Sequence, residues 1–418
     1  MRSRRAPPSF IRHSGERRPT CLPSRQRPRA GRPPRTRGAA VLASPDNGIP
    51  VLRTDDARRR RLVVPILVAL VVGALVVALT AAGRQDRLAG SGSTLGQPLI
   101  DRSIEAYRSA ASADNPDRPG ATGNDWVLDG SGLEYEPVGS MGGIMRLAED
   151  DVAFAVSDYP LSKAALDERQ VVQFPLAVGA LAVAHNLDLP PGATLRLDQA
   201  TLAGIYTGAI TRWDDPAITA LNPGTRLPST TITAVHRSDG SGSTAALTRY
   251  LSGAPGWTAG QGALVSWKGG VAAERSSGLV QAVRQRPGSI GYVERTQAQQ
   301  SGLRLAQLEN AAGAFVGPTD AAMRVSVAGL DYAGRDDYVG LAPTSAERAA
   351  YPLTVPIYAL VERRPVRETE ARQALDFLRF VLEDSADLHE RAGYLPLPGA
   401  AVGQIETYWR GHLPYAPR

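Results

Sequence analysis

Thr231-Ile-Thr-Ala-Val-His-Arg-Ser-Asp-Gly-Ser-Gly-Ser-Thr-Ala-Ala-Leu-Thr-Arg-Tyr-Leu251 falls into three pieces. Thr231 to Val235 alternates β-branched and small residues and reads as a strand. Thr244 to Leu251 holds good helix formers, with Leu247 and Leu251 four apart on one face. Between them lies Arg237-Ser-Asp-Gly-Ser-Gly-Ser243. A glycine-rich turn that opens a helix presents unpaired backbone N–H groups and the positive end of the helix dipole. The hydroxyls of Ser241 and Ser243 and the guanidinium of Arg237 make it a cradle for a tetrahedral oxyanion. The same composition also suits a surface turn whose glycines supply φ > 0, so the decision rests on the rest of the chain.

Two further turns of this kind lie upstream. Arg87 to Pro98 contains Gly90-Ser-Gly-Ser-Thr94, a short strand running into a helix whose Leu99, Ile100, Ser103, Ile104 and Tyr107 share a face. It is not a Rossmann fingerprint, because the third glycine comes one residue late; a juxtamembrane linker is its other reading. Leu133 to Val138 reads as a strand, followed by Gly139-Ser-Met-Gly-Gly143 and a helix through Ile144 and Leu147. Val152-Ala-Phe-Ala-Val156 is apolar throughout, as buried parallel strands are, and ends in Ser157-Asp158-Tyr159-Pro160. An Asp just past such a strand lies where open α/β sheets place ligand groups, or else it caps the next helix.

Strands and helices continue to alternate. Val178 to His185 reads as a strand, Asp198 as a helix cap, Ser276 to Gln285 as an amphipathic helix and Pro287 to Val293 as a turn and strand. Residues 305–350 read as loop-rich; Leu353 to Val361 reads as a strand and Glu368 to Leu382 as a helix. An α/β fold is the expectation.

The net charge of +6 hides an uneven distribution: residues 1–61 carry 17 Arg against 4 acidic residues, a tail of +13 before a body of −7. That tail, rich in Arg, Pro, Gly and Ser, is expected to be disordered. The acidic body argues against nucleic acid as a partner, and a solvated tail beside anionic lipid is the economical reading. Leu62 to Ala82 is 21 residues without a charge, preceded by Arg58-Arg-Arg-Arg61. A helix of that length spans a bilayer core of about 30 Å. The positive-inside rule then puts the N-terminus in the cytoplasm and the body outside the cell membrane. The rival is a cleaved signal peptide, whose apolar region is usually shorter. The one cysteine, Cys21, lies in the tail, and the five histidines show no ligand spacing. No metal or other cofactor is therefore expected.

Taken in order, six motifs resemble the solute-binding protein of bacterial phosphate ABC transporters over roughly residues 88–418. They are Gly90 to Thr94, Val138 to Gly143, Ala155 to Ser162, Gly204-Ile-Tyr-Thr-Gly208 followed by Trp213-Asp-Asp-Pro216, Arg237 to Ser243, and Gly288 to Val293. The resemblance implies a type II periplasmic-binding fold of two α/β lobes joined by hinge strands. Lobe I is expected at 88–178 plus 351–418 and lobe II at 179–350. Carried over by motif, the phosphate-binding residues are Thr94, the backbone of Leu95, Ser140 and Asp158 from lobe I. Arg237, Ser241, the backbone of Gly242, and Ser243 come from lobe II, with Asp239 holding the Arg237 guanidinium. The implied partners are inorganic phosphate and the permease and ATPase subunits of an importer. Two departures stand out: Ser243 takes a place where the family often has Thr, and a membrane helix takes the place of lipidation at a cysteine.

The chemistry singles out one residue. Hydroxyls, N–H groups and Arg237 are donors and suit phosphate and sulfate alike. An ionised Asp158 can only accept, which favours a guest that still carries a proton, as phosphate does near neutral pH and sulfate does not. The reading is therefore a non-enzymatic, membrane-tethered phosphate receptor. Its alternatives are a surface anion sensor or scaffold without transport, and a serine hydrolase using Ser241 and His236. The last lacks a G-x-S-x-G elbow and an acid to orient His236.

Overall fold

A computed structural model describes residues 88–112, 132–333, 335–339, 341, 346–383 and 386–417, all within the compact unit Ala74–Arg418. The basic tail and the apolar run 62–82 lie outside the described residues. Among the described residues no helix is long and apolar enough to cross a membrane.

The first half opens with β1 (Ala89–Gly92), α1 (Gln97–Ser112), β2 (Glu134–Glu136), α2 (Ser140–Ala148) and β3 (Phe154–Ser157). β1 pairs in parallel with both β2 and β3, so all three carboxyl ends point the same way. The face anticipated for α1 is the one that packs: Leu99, Ile100, Ser103, Ile104 and Tyr107 are all buried. The short strands bring the Gly/Ser turns to one sheet edge, where ligand groups of open α/β sheets belong.

β4 (Val171–His185) starts seven residues before the sequence expectation and is buried along its whole length. Pro175 hides the early part from the sequence pattern, since proline is rare inside a sheet. Pro175 lies opposite Tyr358, where the register shifts between Ile357 and Tyr358. Such a bulge tolerates the missing N–H. A run this apolar buries itself on both faces, which suits a strand at the middle of a large sheet.

The second half supplies β5 (Thr233–Arg237), α3 (Gly242–Leu251), β6 (Val271–Ala273), α4 (Arg275–Arg284), β7 (Ser289–Glu294) and α5 (Arg295–Gln300). β5 pairs in parallel with β6 and β7. The chain then returns as β8 (Thr354–Glu362), followed by α6 (Glu368–Glu383). The sheet order is β2-β1-β3-β8-β4-β7-β5-β6. β8 lies antiparallel between β3 and β4. β4 pairs with β8 as far as Ala180 and with β7 from Leu181. One strand thus belongs to both halves, and each half sends the carboxyl ends of its parallel strands toward the other. This is a two-lobe α/β architecture.

The stretch 305–350 is more ordered than its composition suggested. It forms strands Gln307–Glu309 and Phe315–Val316, which build a small sheet with Arg196–Leu197. It also forms a helix, Asp320–Val327, capped by Thr319. Asp337 and Leu341 pack on the first half: Gln173 Nε2 donates to Asp337 O at 2.9 Å and Tyr358 OH to Leu341 O at 2.9 Å.

Candidate functional site

Where the lobes meet, each parallel strand ends in a polar turn. Gly92 has φ 135 and the ideal Cβ position there lies 2.1 Å from Val156 O, so only glycine lets β1 leave the sheet here. Gly139 has φ 90 and abuts Asp239 Oδ2 and Gly240 O, each 2.8 Å from its ideal Cβ position. These glycines bring the start of α2 against the turn before α3. Met141 N donates to Gly240 O at 3.2 Å across the seam.

Two hydrogen-bonded groups result. In the first, Asp158 faces one hydroxyl from each lobe: Ser140 Oγ donates to Oδ1, and Ser243 Oγ donates to Oδ2 at 3.0 Å. Asp158 N donates back to Ser140 Oγ at 3.3 Å. Asp158 does not cap the next helix; Ser162 does that, accepting from Ala165 N.

In the second, Arg237 ends β5 with its side chain buried. Its Nε donates to Asp239 Oδ1 at 2.7 Å and its Nη2 to Oδ2, a two-pronged pair that fixes the guanidinium plane. Its Nη1 donates to Thr94 Oγ1 at 2.9 Å and to Ser276 Oγ at 3.3 Å. Ser276 Oγ in turn donates to Thr94 Oγ1 at 2.7 Å. Burial alone would push the Asp239 carboxyl up, but the bonds and charge of Arg237 and the N–H of Arg275 hold it below the usual carboxylate range. Asp239 is thereby held as the negative partner of a buried cation.

The two groups share one locus. An ideal Cβ on Gly242 would lie 2.3 Å from Asp158 Oδ1 and 2.7 Å from Ser140 Oγ. Ser140 is the neighbour of Gly139, whose ideal Cβ lies 3.6 Å from Arg237 Nη2. Thr94, Ser140, Asp158, Arg237, Ser241 and Ser243 are all buried. α2 and α3 both begin at this locus, so their dipoles add positive potential to that of Arg237.

Each residue expected from the sequence has a definite place. Thr94, Ser140, Asp158, Arg237, Asp239, Gly242 and Ser243 come together. Ser241 caps α3, its Oγ accepting from Thr244 N at 3.4 Å. That leaves its own hydroxyl proton to donate. The N–H of Leu95 donates to Ser93 Oγ at 3.1 Å, a local turn bond that the motif did not reveal. His236 stacks on Trp267 with ring centroids 5.0 Å apart, and its Nδ1 lies 3.2 Å from Arg237 O. Among the described residues no hydrogen bond joins it to Ser241, the pair on which the hydrolase reading depends.

Sequence reasoning missed the supports. Tyr292 OH accepts from Arg237 N at 3.0 Å and pairs with Thr244 Oγ1 at 2.7 Å; burial pushes its phenol up to about 12. Three consecutive carbonyls of the first turn are held by side-chain donors. Ser93 O accepts from Tyr135 OH at 2.8 Å, Thr94 O from Gln297 Nε2 at 3.1 Å, and Leu95 O from Tyr394 OH at 2.5 Å. These acceptors are thus taken up away from the anion locus. Ser276 had a signal: Arg275-Ser-Ser-Gly278 is one more Ser/Gly opening of a helix after a strand.

A family model described as a PBP superfamily domain matches residues 79–385. It defines the class as the periplasmic-binding-protein kind, in agreement with the two lobes. The phosphate-binding protein PstS of Xylella fastidiosa (strain 9a5c) is 33% identical over 326 residues, covering 77% of this chain and 85% of its own length. Phosphate-binding protein PstS 3 of Mycobacterium tuberculosis (strain ATCC 25618 / H37Rv) is 32% identical over 360 residues, covering 81% and 95%. A solved phosphate-binding protein from Stenotrophomonas maltophilia shares the fold at a TM-score of 0.56 and 18% identity, over 76% of this chain and 92% of that one. The chain belongs to the PstS family of phosphate-binding proteins within that superfamily.

Proposed function

We propose that this chain is an extracytoplasmic receptor that closes on inorganic phosphate and delivers it to the permease of an ABC importer. The observation that carries this reading is the position of Asp158, a carboxylate set among donors from both lobes. Hydroxyls can turn their protons from Asp158 to a guest, whereas the carboxylate needs the guest to bring a proton of its own. Hydrogen phosphate does so; sulfate would set two negative charges against each other. A desolvated clash of that kind costs several kcal/mol, or about a thousandfold in selectivity. The mildly acidic body is no obstacle, since dipoles and hydrogen bonds select locally.

The phosphate ligands in this proposal are Thr94, Leu95, Ser140, Asp158, Arg237, Ser241, Gly242 and Ser243, with Asp239 as the clamp on Arg237; the Leu95 N–H joins them by turning from Ser93 Oγ to the guest. Lobe I comprises 88–178 and 351–418, and lobe II 179–350 apart from the short stretch 337–341, joined where β4 changes partner; the bonds of Asp337 to Gln173 and of Leu341 to Tyr358 support counting that stretch with lobe I. Opening and closing is a hinge motion about the shared strands. Leu62 to Ala82 serves as a single membrane anchor with its N-terminal side in the cytoplasm, on the strength of its length and its flanking arginines.

Titration of the full chain with phosphate, arsenate and sulfate tests the receptor reading. Phosphate and arsenate, both protonated near neutral pH, bind comparably, and sulfate binds about a thousandfold more weakly. Equal affinity for sulfate defeats it. The anchor is tested by deleting residues 62–82 and asking whether the protein leaves the membrane fraction.

A further inference from the structure

Thr94 Oγ1 accepts two hydrogen bonds from the opposite lobe, from Arg237 Nη1 at 2.9 Å and from Ser276 Oγ at 2.7 Å. A hydroxyl oxygen has two acceptor positions and one proton. With both positions filled, the Thr94 proton has to be donated elsewhere. In the Ser276–Thr94 bond the Ser276 hydroxyl is the donor. Ser276 Oγ also accepts from Arg237 Nη1 at 3.3 Å, and the guanidinium, which has only donors, cannot take its proton. The backbone of Thr94 is fixed too, its carbonyl accepting from Gln297 Nε2 at 3.1 Å. Ser276 is 3% exposed and Thr94 3%, so water does not compete for these bonds.

From this we infer that Ser276, the second residue of α4, is a positioning residue of the anion site. It occupies the second acceptor position of Thr94 and so makes that hydroxyl a committed donor to the guest. The inference rests on the phosphate-receptor reading and adds to it a residue that touches the anion only through Thr94. Ser276 completes its bond to Thr94 only when the lobes come together, so it also ties closure to the orientation of a ligand group. Without it, Thr94 could spend its proton on a neighbouring acceptor, and the guest would lose one pre-aimed donor. Selection against sulfate, which falls to Asp158, is untouched.

The test is a double-mutant cycle on the full chain, titrated with inorganic phosphate and with sulfate. Ser276→Ala is expected to weaken phosphate about tenfold, the usual scale for one buried hydrogen bond, with the phosphate-to-sulfate ratio unchanged. Ser276→Thr, which keeps the hydroxyl, restores affinity. In a Thr94→Val background Ser276→Ala costs nothing further, because its target is gone. Ser276→Cys, close in size and a weak donor, reproduces most of the loss and covers the case in which the alanine variant fails to fold. Undiminished affinity in both the alanine and cysteine variants overturns the inference, and so does an equal loss with and without the Thr94 hydroxyl. A wild-type chain that binds no phosphate defeats the receptor reading itself, an outcome seen before any variant is made.

Discussion

Ser243 Oγ donates to Asp158 Oδ2 at 3.0 Å across 85 residues of sequence, joining a hydroxyl of one lobe to the carboxylate of the other. With Ser140 on the second oxygen, Asp158 becomes the acceptor around which the donors are gathered.

Asp158→Asn replaces an acceptor that repels unprotonated anions with an amide that also donates. Its phosphate affinity should fall by about tenfold while its sulfate affinity rises, collapsing the ratio to within about tenfold of unity. Side-by-side calorimetric titrations with the two anions give the answer.

Gly242→Ala places a methyl 2.3 Å from Asp158 Oδ1 and 2.7 Å from Ser140 Oγ. The backbone of Gly242 is helical, so the fold tolerates alanine and the clash falls on the site. Displacing those side chains should weaken phosphate by about a hundredfold, the upper range for overpacking. Circular dichroism should match the wild type. Unchanged affinity would show that Gly242 is not at the anion locus.

Asp239→Asn removes the charged half of the two-pronged clamp on Arg237. Phosphate and sulfate should both weaken, by about tenfold, because the guanidinium loses its orientation while its charge remains. Arg237→Ala should cost more and again affect both anions equally. A selective loss of one anion in either variant would contradict the role given to the clamp.

Glu294 ends β7 fully buried and caps α5 by accepting from Thr296 N and Gln297 N, each at 2.8 Å. Burial pushes its carboxyl up to about 7 against the lowering effect of those N–H groups. The folded chain therefore holds this proton more tightly than the unfolded chain does. Its contribution to stability is fully present below the unfolded carboxyl pKa, near 4.5, and is lost as pH rises through about 7. The Tm difference between wild type and Glu294→Gln should accordingly move in the mutant's favour between about pH 5 and about pH 8. A difference that stays flat with pH would show that Glu294 does not titrate in this range.

Much of the site could be read from the chain because backbone geometry forced it. Gly92 and Gly139 need positive φ, and the hydroxyls beside them are what a helix opening needs to present donors. The apolar run before Asp158 gave its position at a strand end. What stayed hidden depended on distant partners. Ser276 lies in a helix recognised by its apolar face, and only folding brings it to Thr94, 182 residues away. Tyr394 meets the first turn across 299 residues for the same reason. The first part of β4 is not legible because Pro175 breaks the local pattern, while pairing with β8 at a bulge overrides the propensity of that residue.

The most direct test of the account is a proton count. Phosphate is titrated into the full chain somewhat above neutral pH, where it is a singly protonated dianion, in two buffers of different ionisation heat. If the guest's proton goes to Asp158 as a hydrogen bond and stays with the complex, binding releases no proton and both buffers report the same enthalpy. Release of one proton per phosphate bound would mean that the carboxylate meets a fully ionised guest, and the account would be wrong.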